Sequence, residues 1–263
     1  MEALEAFAAL EASLGGGTLG LAAVCAGESV FYQADTLFPT ASSIKIAIVE
    51  EIFRQELDLV QPITVTESDF VGGSGVLASL TPGIALPLGD LATLTISVSD
   101  NTASNLCLRA VGGLEAVNAR LATWGCTSTK IHRPIKFQLQ EGDPPHTATG
   151  TPADFLKILA QLGPETKKRM ALVGDTAMLP RLLGVNAYAS DLRVAPPPFT
   201  VAHKPGAVTS VRNDVGFIEQ GGKTLTVAIF TKGCPDPRWT VENAGCVAVA
   251  RATQYLAQYF LEP

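Results

Sequence analysis

The chain is expected to adopt an α+β fold. A mainly antiparallel sheet flanked by helices is assembled from both termini, and an all-α lobe is inserted between them. Three observations predict this. Strand-like runs lie only near the two ends of the 263 residues. The stretch between them reads as successive helices, each bounded by Gly, Pro, Ser, Thr or Asp. Each end also brings one helix to lay on a sheet. The lobes are then roughly residues 1–37 with 195–263, and residues 38–194, within one domain.

The first seventeen residues, "MEALEAFAALEASLGGG", form an amphipathic helix stopped by Gly15 to Gly17. "TLGLAAVCAG" and "SVFYQA" are two strands with a turn near Gly27-Glu28. A largely buried helix follows, opening on "SSIK" and running to about Leu57. Helical segments then recur at "LGDLATLTISV", "TASNLCLRAVG", "LEAVNARLATWG", "TPADFLKILAQL" and "ETKKRMALV". One long irregular piece, His132 to Gly150, interrupts them, and a loop of that length in a compact domain is usually functional. Strand character returns at "FTVAHKPGAV", "VGFIEQ" and "KTLTVAIFTKG", and a helix from about Val241 to Phe260 closes the chain.

Composition excludes several classes. The chain is 47% hydrophobic and 17% charged, which is globular rather than disordered. A net charge of −6 argues against a nucleic-acid partner or an anionic membrane surface. No apolar run approaches the ~18 residues that span a bilayer. The N-terminal stretch carries acids and no Lys or Arg, unlike a secretory signal. The expectation is a cytoplasmic protein, unless an export segment preceded the present Met. Five cysteines without a C-x-x-C pair read as buried free thiols. The three histidines lack metal-ligand spacing, so neither a metal nor another cofactor is expected.

Three short constellations carry chemistry. Ser42 precedes Lys45 by three places, on one face of a helix start and beside its free N–H groups. Lys45 sits inside an apolar run, where a lysine is costly unless it has a task. A desolvated lysine has a lowered pKa and acts as a base toward a hydroxyl. Thr40, Ser42 and Ser43 are also good helix caps, so the residue types alone leave both roles open. Ser99-Asp100-Asn101 is either a cap between helices or a second hydroxyl with an amide for substrate. Lys204-Pro205-Gly206 lies on a strand, where an edge lysine is commonly solvated. By strand alternation His203 faces away from Lys204 and reads as a packing residue. "GFIEQGGKTLT" is no phosphate loop: Phe217 stands where the first glycine is needed, and Gly221-Gly222 reads as a hairpin turn.

In this order, Ser-x-x-Lys, Ser-Asp-Asn and Lys-x-Gly resemble the class A β-lactamase family, along nearly the full chain. "FPTASSIK", "GSGVL", "SDNTASNLCLRAVGG" and "HKPGA" carry the resemblance. It implies a β-lactamase/transpeptidase-like fold and a serine hydrolase that forms an acyl-enzyme on Ser42. The implied substrate is a small β-lactam or a peptidoglycan-like amide. By the same resemblance Lys45 is the base or base partner of Ser42. Ser99, helped by Lys204, passes a proton to the leaving nitrogen. Asn101 holds the substrate amide, and Gly206 leads into the oxyanion donors, the N–H groups of Ser42 and Ala207.

Two departures from the family pattern stand out. Pro205 replaces a hydroxyl residue that helps bind the substrate carboxylate; Lys204, Arg212 or Arg238 are the cations able to compensate. In the long loop, Ile135 stands where the family has the glutamate that activates the releasing water. Leu139 stands at the accompanying asparagine, and Ala148 replaces the acid that pairs with the loop arginine. Acylation machinery is expected, and release machinery is not. A D-alanyl-D-alanine peptidase-like amidase and an acylated, non-turnover penicillin sensor are therefore the alternative readings.

Overall fold

The computed structural model describes residues 2–183 and 199–261. In chain order the elements are α1 (Glu2–Ala12), β1 (Thr18–Cys25), β2 (Glu28–Tyr32) and β3 (Phe38–Pro39). A 3-10 turn (Ala41–Ile44) leads into α2 (Lys45–Arg54), and β4 (Pro62–Thr64) and β5 (Ala85–Pro87) follow. Next come α3 (Leu88–Ser97), α4 (Asn101–Ala110), α5 (Leu114–Thr123), β6 (Lys130–Ile131) and β7 (Ala148–Gly150). The remainder is α6 (Pro152–Gln161), α7 (Pro164–Met170), β8 (Thr200–Val208), β9 (Val211–Gln220), β10 (Lys223–Lys232) and α8 (Ala244–Phe260).

The main sheet is antiparallel and five-stranded, in the order β2-β1-β10-β9-β8. Its hairpins follow from turn chemistry. Gly221 and Gly222, both at positive φ, join β9 to β10 with Gln220 opposite Lys223. Ala26 and Gly27, also at positive φ, join β1 to β2. Side-chain alternation divides the sheet between two cores. Leu225, Val227 and Ile229 of β10 pack with α1 and α8, while Ala228 and Phe230 face the helical lobe. The sheet is thus buried on both faces, and β8 is left at an edge. Pro205 is tolerated there because an edge strand has one side free of ladder bonds.

The expected elements are present, with shifted ends. The "SSIK" helix begins as a 3-10 turn and stops at Arg54 rather than near Leu57, because Glu56 adopts a left-handed conformation (φ +53°). The last helix starts at Ala244 rather than about Val241, where Asn243 caps it by accepting from the N–H groups of Gly245 and Cys246. The long loop ends in β7, which pairs with β3 and β6. The expected lobe boundary near residue 195 lies outside the described residues. All five cysteines are free and buried. No helix among the described residues is long and apolar enough to cross a membrane.

Helix α2 stands at the junction of the lobes. Its two buried acids each have a fixed partner, as a buried charge requires. Glu50 accepts from Arg54, from the N–H of Gly163 and from the Thr166 hydroxyl. Glu51 pairs with Arg120 of α5 at 2.7 Å. These bonds clamp α2 against α5, α6 and α7, and so hold the 3-10 turn that precedes it.

Candidate active site

The 3-10 turn is built under strain. Ala41 takes a left-handed conformation (φ +46°) immediately before Ser42, a placement that costs a non-glycine residue about 1–3 kcal/mol. No side chain caps the turn. Instead the Ser43 hydroxyl donates across to the Lys204 carbonyl on β8, 3.3 Å away. Gly206 is required by this contact. A Cβ there would lie 2.8 Å from Ser43 Oγ and 2.8 Å from the Thr40 carbonyl. Gly206 therefore acts by letting the strand touch the serine turn, and Ala207 follows it onto the cavity wall.

Lys45 is fully buried. Its Nζ donates to the Ser99 carbonyl (2.6 Å), to Ser99 Oγ (3.2 Å) and to Asn101 Oδ1 (2.8 Å). Ser42 Oγ is not among its partners in the described residues. An ammonium has three donors, and these three acceptors satisfy them. Burial, and then the like charge of Lys204, hold the Lys45 pKa well below that of an ordinary lysine.

Ser99 is brought to Lys45 by a second left-handed residue, itself (φ +56°), between α3 and α4. Asp100 fixes that corner. It caps α4 through the Ala103 N–H and accepts from the N–H groups of Val76 and Leu77. Gly75 is pressed so closely against Asp100 that a Cβ would sit 2.2 Å from its Oδ2. Capping and site geometry here are one arrangement. Asn101 is buried and also donates to the Gly72 carbonyl.

Lys204 is fully buried and not a solvated edge lysine. Its ammonium turns onto the Pro205 carbonyl at 2.9 Å rather than onto Ser99, and burial brings its pKa down to about 8. His203, on the other face, is buried against Asp214, with Nδ1 2.9 and 3.0 Å from its two oxygens. Of the other cations, Arg238 pairs with Asp236. Arg212 donates to the carbonyls of Val208, Val211 and Arg238 and lies 4.5 Å from the centre of the Trp239 ring. Among the described residues, no carboxylate forms an ion pair with Arg212.

Ser42, Lys45, Asn101 and Ala207 line one cavity of about 710 Å³, with Ser74, Asn105, Trp239 and two stretches of the loop, Arg133 to Phe137 with Leu139, and Pro145 to Ala148. Ser99 contacts the lining residue Lys45 but, like Lys204 and Gly206, does not itself line the cavity. Ile135 and Leu139 both line it. The side chain of Asn105 exchanges two hydrogen bonds with the Ile135 backbone, at 2.8 and 2.9 Å, so Ile135 is held on the cavity. Arg133 has no acid at residue 148. Its guanidinium is cradled by the carbonyls of Pro144, Pro134 and Lys136 instead. Asp143 pairs with Lys136 at 2.6 Å, and that contact holds its carboxyl below the usual range. No Asp or Glu of the described residues lines the cavity.

Sequence reasoning missed Ser74, Asn105 and Trp239. Ser74 donates to the Ser99 carbonyl from within the "GSGVL" stretch. Asn105 stands one helical turn beyond Asn101 on the same face, a spacing that points to it. Nothing local marks Trp239.

The model of the Beta-lactamase enzyme family matches residues 3–260. A β-lactamase from Sphaerobacter thermophilus has a similar structure, with a TM-score of 0.84 and 31% identity over 98% of this chain and 96% of that one. The β-lactamase Toho-2 of Escherichia coli is 28% identical over 86% of this chain and 79% of its own length. A class A β-lactamase from Mycobacterium abscessus shares the fold (TM-score 0.80, 24% identity, 98% of this chain and 99% of that one).

Proposed function

Because this chain belongs to the Beta-lactamase enzyme family, we propose that it is a serine hydrolase whose Ser42 takes the acyl group of a β-lactam or a related amide. The observation that carries this reading is Lys45. A buried lysine with a depressed pKa, one turn from a serine on the same cavity, is a neutral base in waiting. On this reading Ser42 Oγ attacks the lactam carbonyl and its proton passes toward Lys45. The bond to nitrogen then breaks. The amine leaves with a proton from Ser99, which Lys45 already contacts. Asn101 binds the substrate amide, and the N–H groups of Ser42 and Ala207 stabilise the oxyanion. Where Pro205 supplies no hydroxyl, Lys204, cationic below about pH 8, is the cation that attracts a substrate carboxylate.

A second reading, slow release, is favoured by a cavity that no Asp or Glu of the described residues lines. Hydrolysis of the ester requires a water that is held and deprotonated, and Ile135 does neither. The absence of a positioned base slows release by roughly 10²–10⁴-fold. Intact mass after mixing with a penicillin tests both readings. One added ligand mass, persisting for minutes and lost in Ser42→Ala, is expected. No adduct and no hydrolysis would remove the acyl-enzyme reading, and many rapid turnovers would remove slow release.

A further inference from the structure

The segment between β10 and α8 carries Trp239, which lines the Ser42 cavity yet is 67% exposed. A lone exposed aromatic is ordinary, but this one is held in place. The carbonyl of Arg238, beside it, accepts from Arg212 at 2.9 Å and from Asn243 Nδ2 at 2.9 Å. Asp236, three residues before it, pairs with Arg238 and accepts from the Ala244 N–H at the start of α8. Arg212 is itself buried and donates to the carbonyls of Val208 and Val211. Its guanidinium lies over the indole, 4.5 Å from the ring centre. The ring thus rests on a fixed cation, and what remains of it is open at the cavity. An aromatic braced in this way loses little conformational freedom when a second planar group stacks on it.

Arg212 stands opposite Ala207 in the β8–β9 ladder, so Trp239 belongs to the strand side of the cavity, beside the proposed oxyanion donor. Asn101, at the start of α4, has its own aromatic neighbour. A Cβ on Gly73 would lie 2.7 Å from the Phe137 ring and 3.0 Å from Asn101 Nδ2. With the acyl side of the substrate at Asn101, the part across the scissile bond is the part that reaches Trp239. We propose that Trp239 is a specificity-determining residue: it stacks against a planar, conjugated group carried on the nitrogen side of the bond that Ser42 attacks. The inference rests on the acyl-enzyme reading above and deepens it by naming the substrate class, amides whose leaving half is both anionic and planar. Lys204 attracts the charge, and the indole takes the plane.

The test measures acylation of the whole protein by nitrocefin and by cephalothin, as lactam opening and as added mass. The two share a thienylacetyl acyl side, and nitrocefin alone carries a dinitrostyryl group on the nitrogen side. Trp239→Ala should lower the nitrocefin-to-cephalothin ratio of kcat/KM about tenfold, and Trp239→Phe, which keeps a ring, should hold it within about threefold of wild type. Both compounds carry the same carboxylate, so any displacement of Arg212 cancels in the ratio. Neither variant removes a buried side chain, so the fold is retained, as circular dichroism checks. Benzylpenicillin against aminopenicillanic acid varies only the acyl side, and that ratio should not change in Trp239→Ala. An unchanged nitrocefin-to-cephalothin ratio, an equal loss in Trp239→Phe, or a fall in the penicillin ratio instead overturns the platform and leaves Ser42 standing. No lactam opening and no adduct with any of the four compounds in the wild type overturns both readings.

Discussion

The two sides of the cavity are built on opposite terms. On one side, Ala41 to Lys45 and Ser99 to Asn101 form a polar corner in which each buried group has a partner and two residues are held left-handed. On the other, the loop from Arg133 to Thr147 brings Ile135, Phe137 and Leu139 to the cavity, with Arg133 held by carbonyls and Lys136 by Asp143. The difference teaches that forming and breaking an acyl ester make separate structural demands. The first needs a desolvated base and a preorganised oxyanion site. The second needs a wet, acidic neighbour. On the proposed reading this chain is equipped for the first, while no Asp or Glu of the described residues lines the cavity to serve the second.

The sharpest way to break the contrast is at Lys45. Lys45→Ala should slow penicillin acylation by ~10²–10⁴-fold, measured as the rate of adduct formation, with the fold retained by circular dichroism. An unchanged rate would remove Lys45 from the chemistry. Next is Ile135→Glu, which places a carboxylate on the loop side of the cavity. The adduct should then decay at least about tenfold faster by intact mass. An unaltered lifetime would mean that the loop does not limit release.

The pH profile tests the polar side by itself. Neutral Lys45 is the competent form, so acylation should rise with pH up to its depressed pKa. Cationic Lys204 favours an anionic substrate, and that contribution should be lost above about pH 8. A bell is expected. Lys204→Gln should remove the alkaline limb. It should also move the acid limb to higher pH, since the like charge that depresses Lys45 is gone. An alkaline limb unmoved in the variant would assign it elsewhere.

Smaller effects are expected within the loop. Asn105→Ala leaves the N–H and carbonyl of Ile135 without their partner, which should cost about 1–3 kcal/mol in denaturant melts and loosen the loop to proteolysis. Asp143→Asn and Glu141→Gln should change neither Tm nor adduct lifetime, because both positions lie off the cavity lining. A lengthened lifetime in either would make that acid the releasing base.

The loop and the polar corner also differ in how far the sequence reveals them. The serine–lysine spacing, the Asp100 cap and the glycine turns were legible because i,i+3 neighbours, capping and positive φ are local properties of a few consecutive residues. The replacements at Ile135, Leu139 and Ala148 were legible too, but only against the family pattern. Two helix ends were off by three residues, where left-handed Glu56 and the Asn243 cap intervened.

By itself, then, the sequence determined the order of the main strands and helices, the three-residue spacing of Ser42 and Lys45, and the absence of an acid at residue 135. Tertiary structure alone decided that Lys204 is buried and not solvated, and that Lys45 turns to Ser99 and Asn101. It also decided that Arg133 is answered by carbonyls, and that Ile44, Ile48 and Leu108 come to the wall of the Ser42 cavity. The physical reason is desolvation. Whether a charge is stripped of water, and what replaces that water, depends on segments distant in the chain that pack around it, as β8 packs on the serine turn 161 residues away.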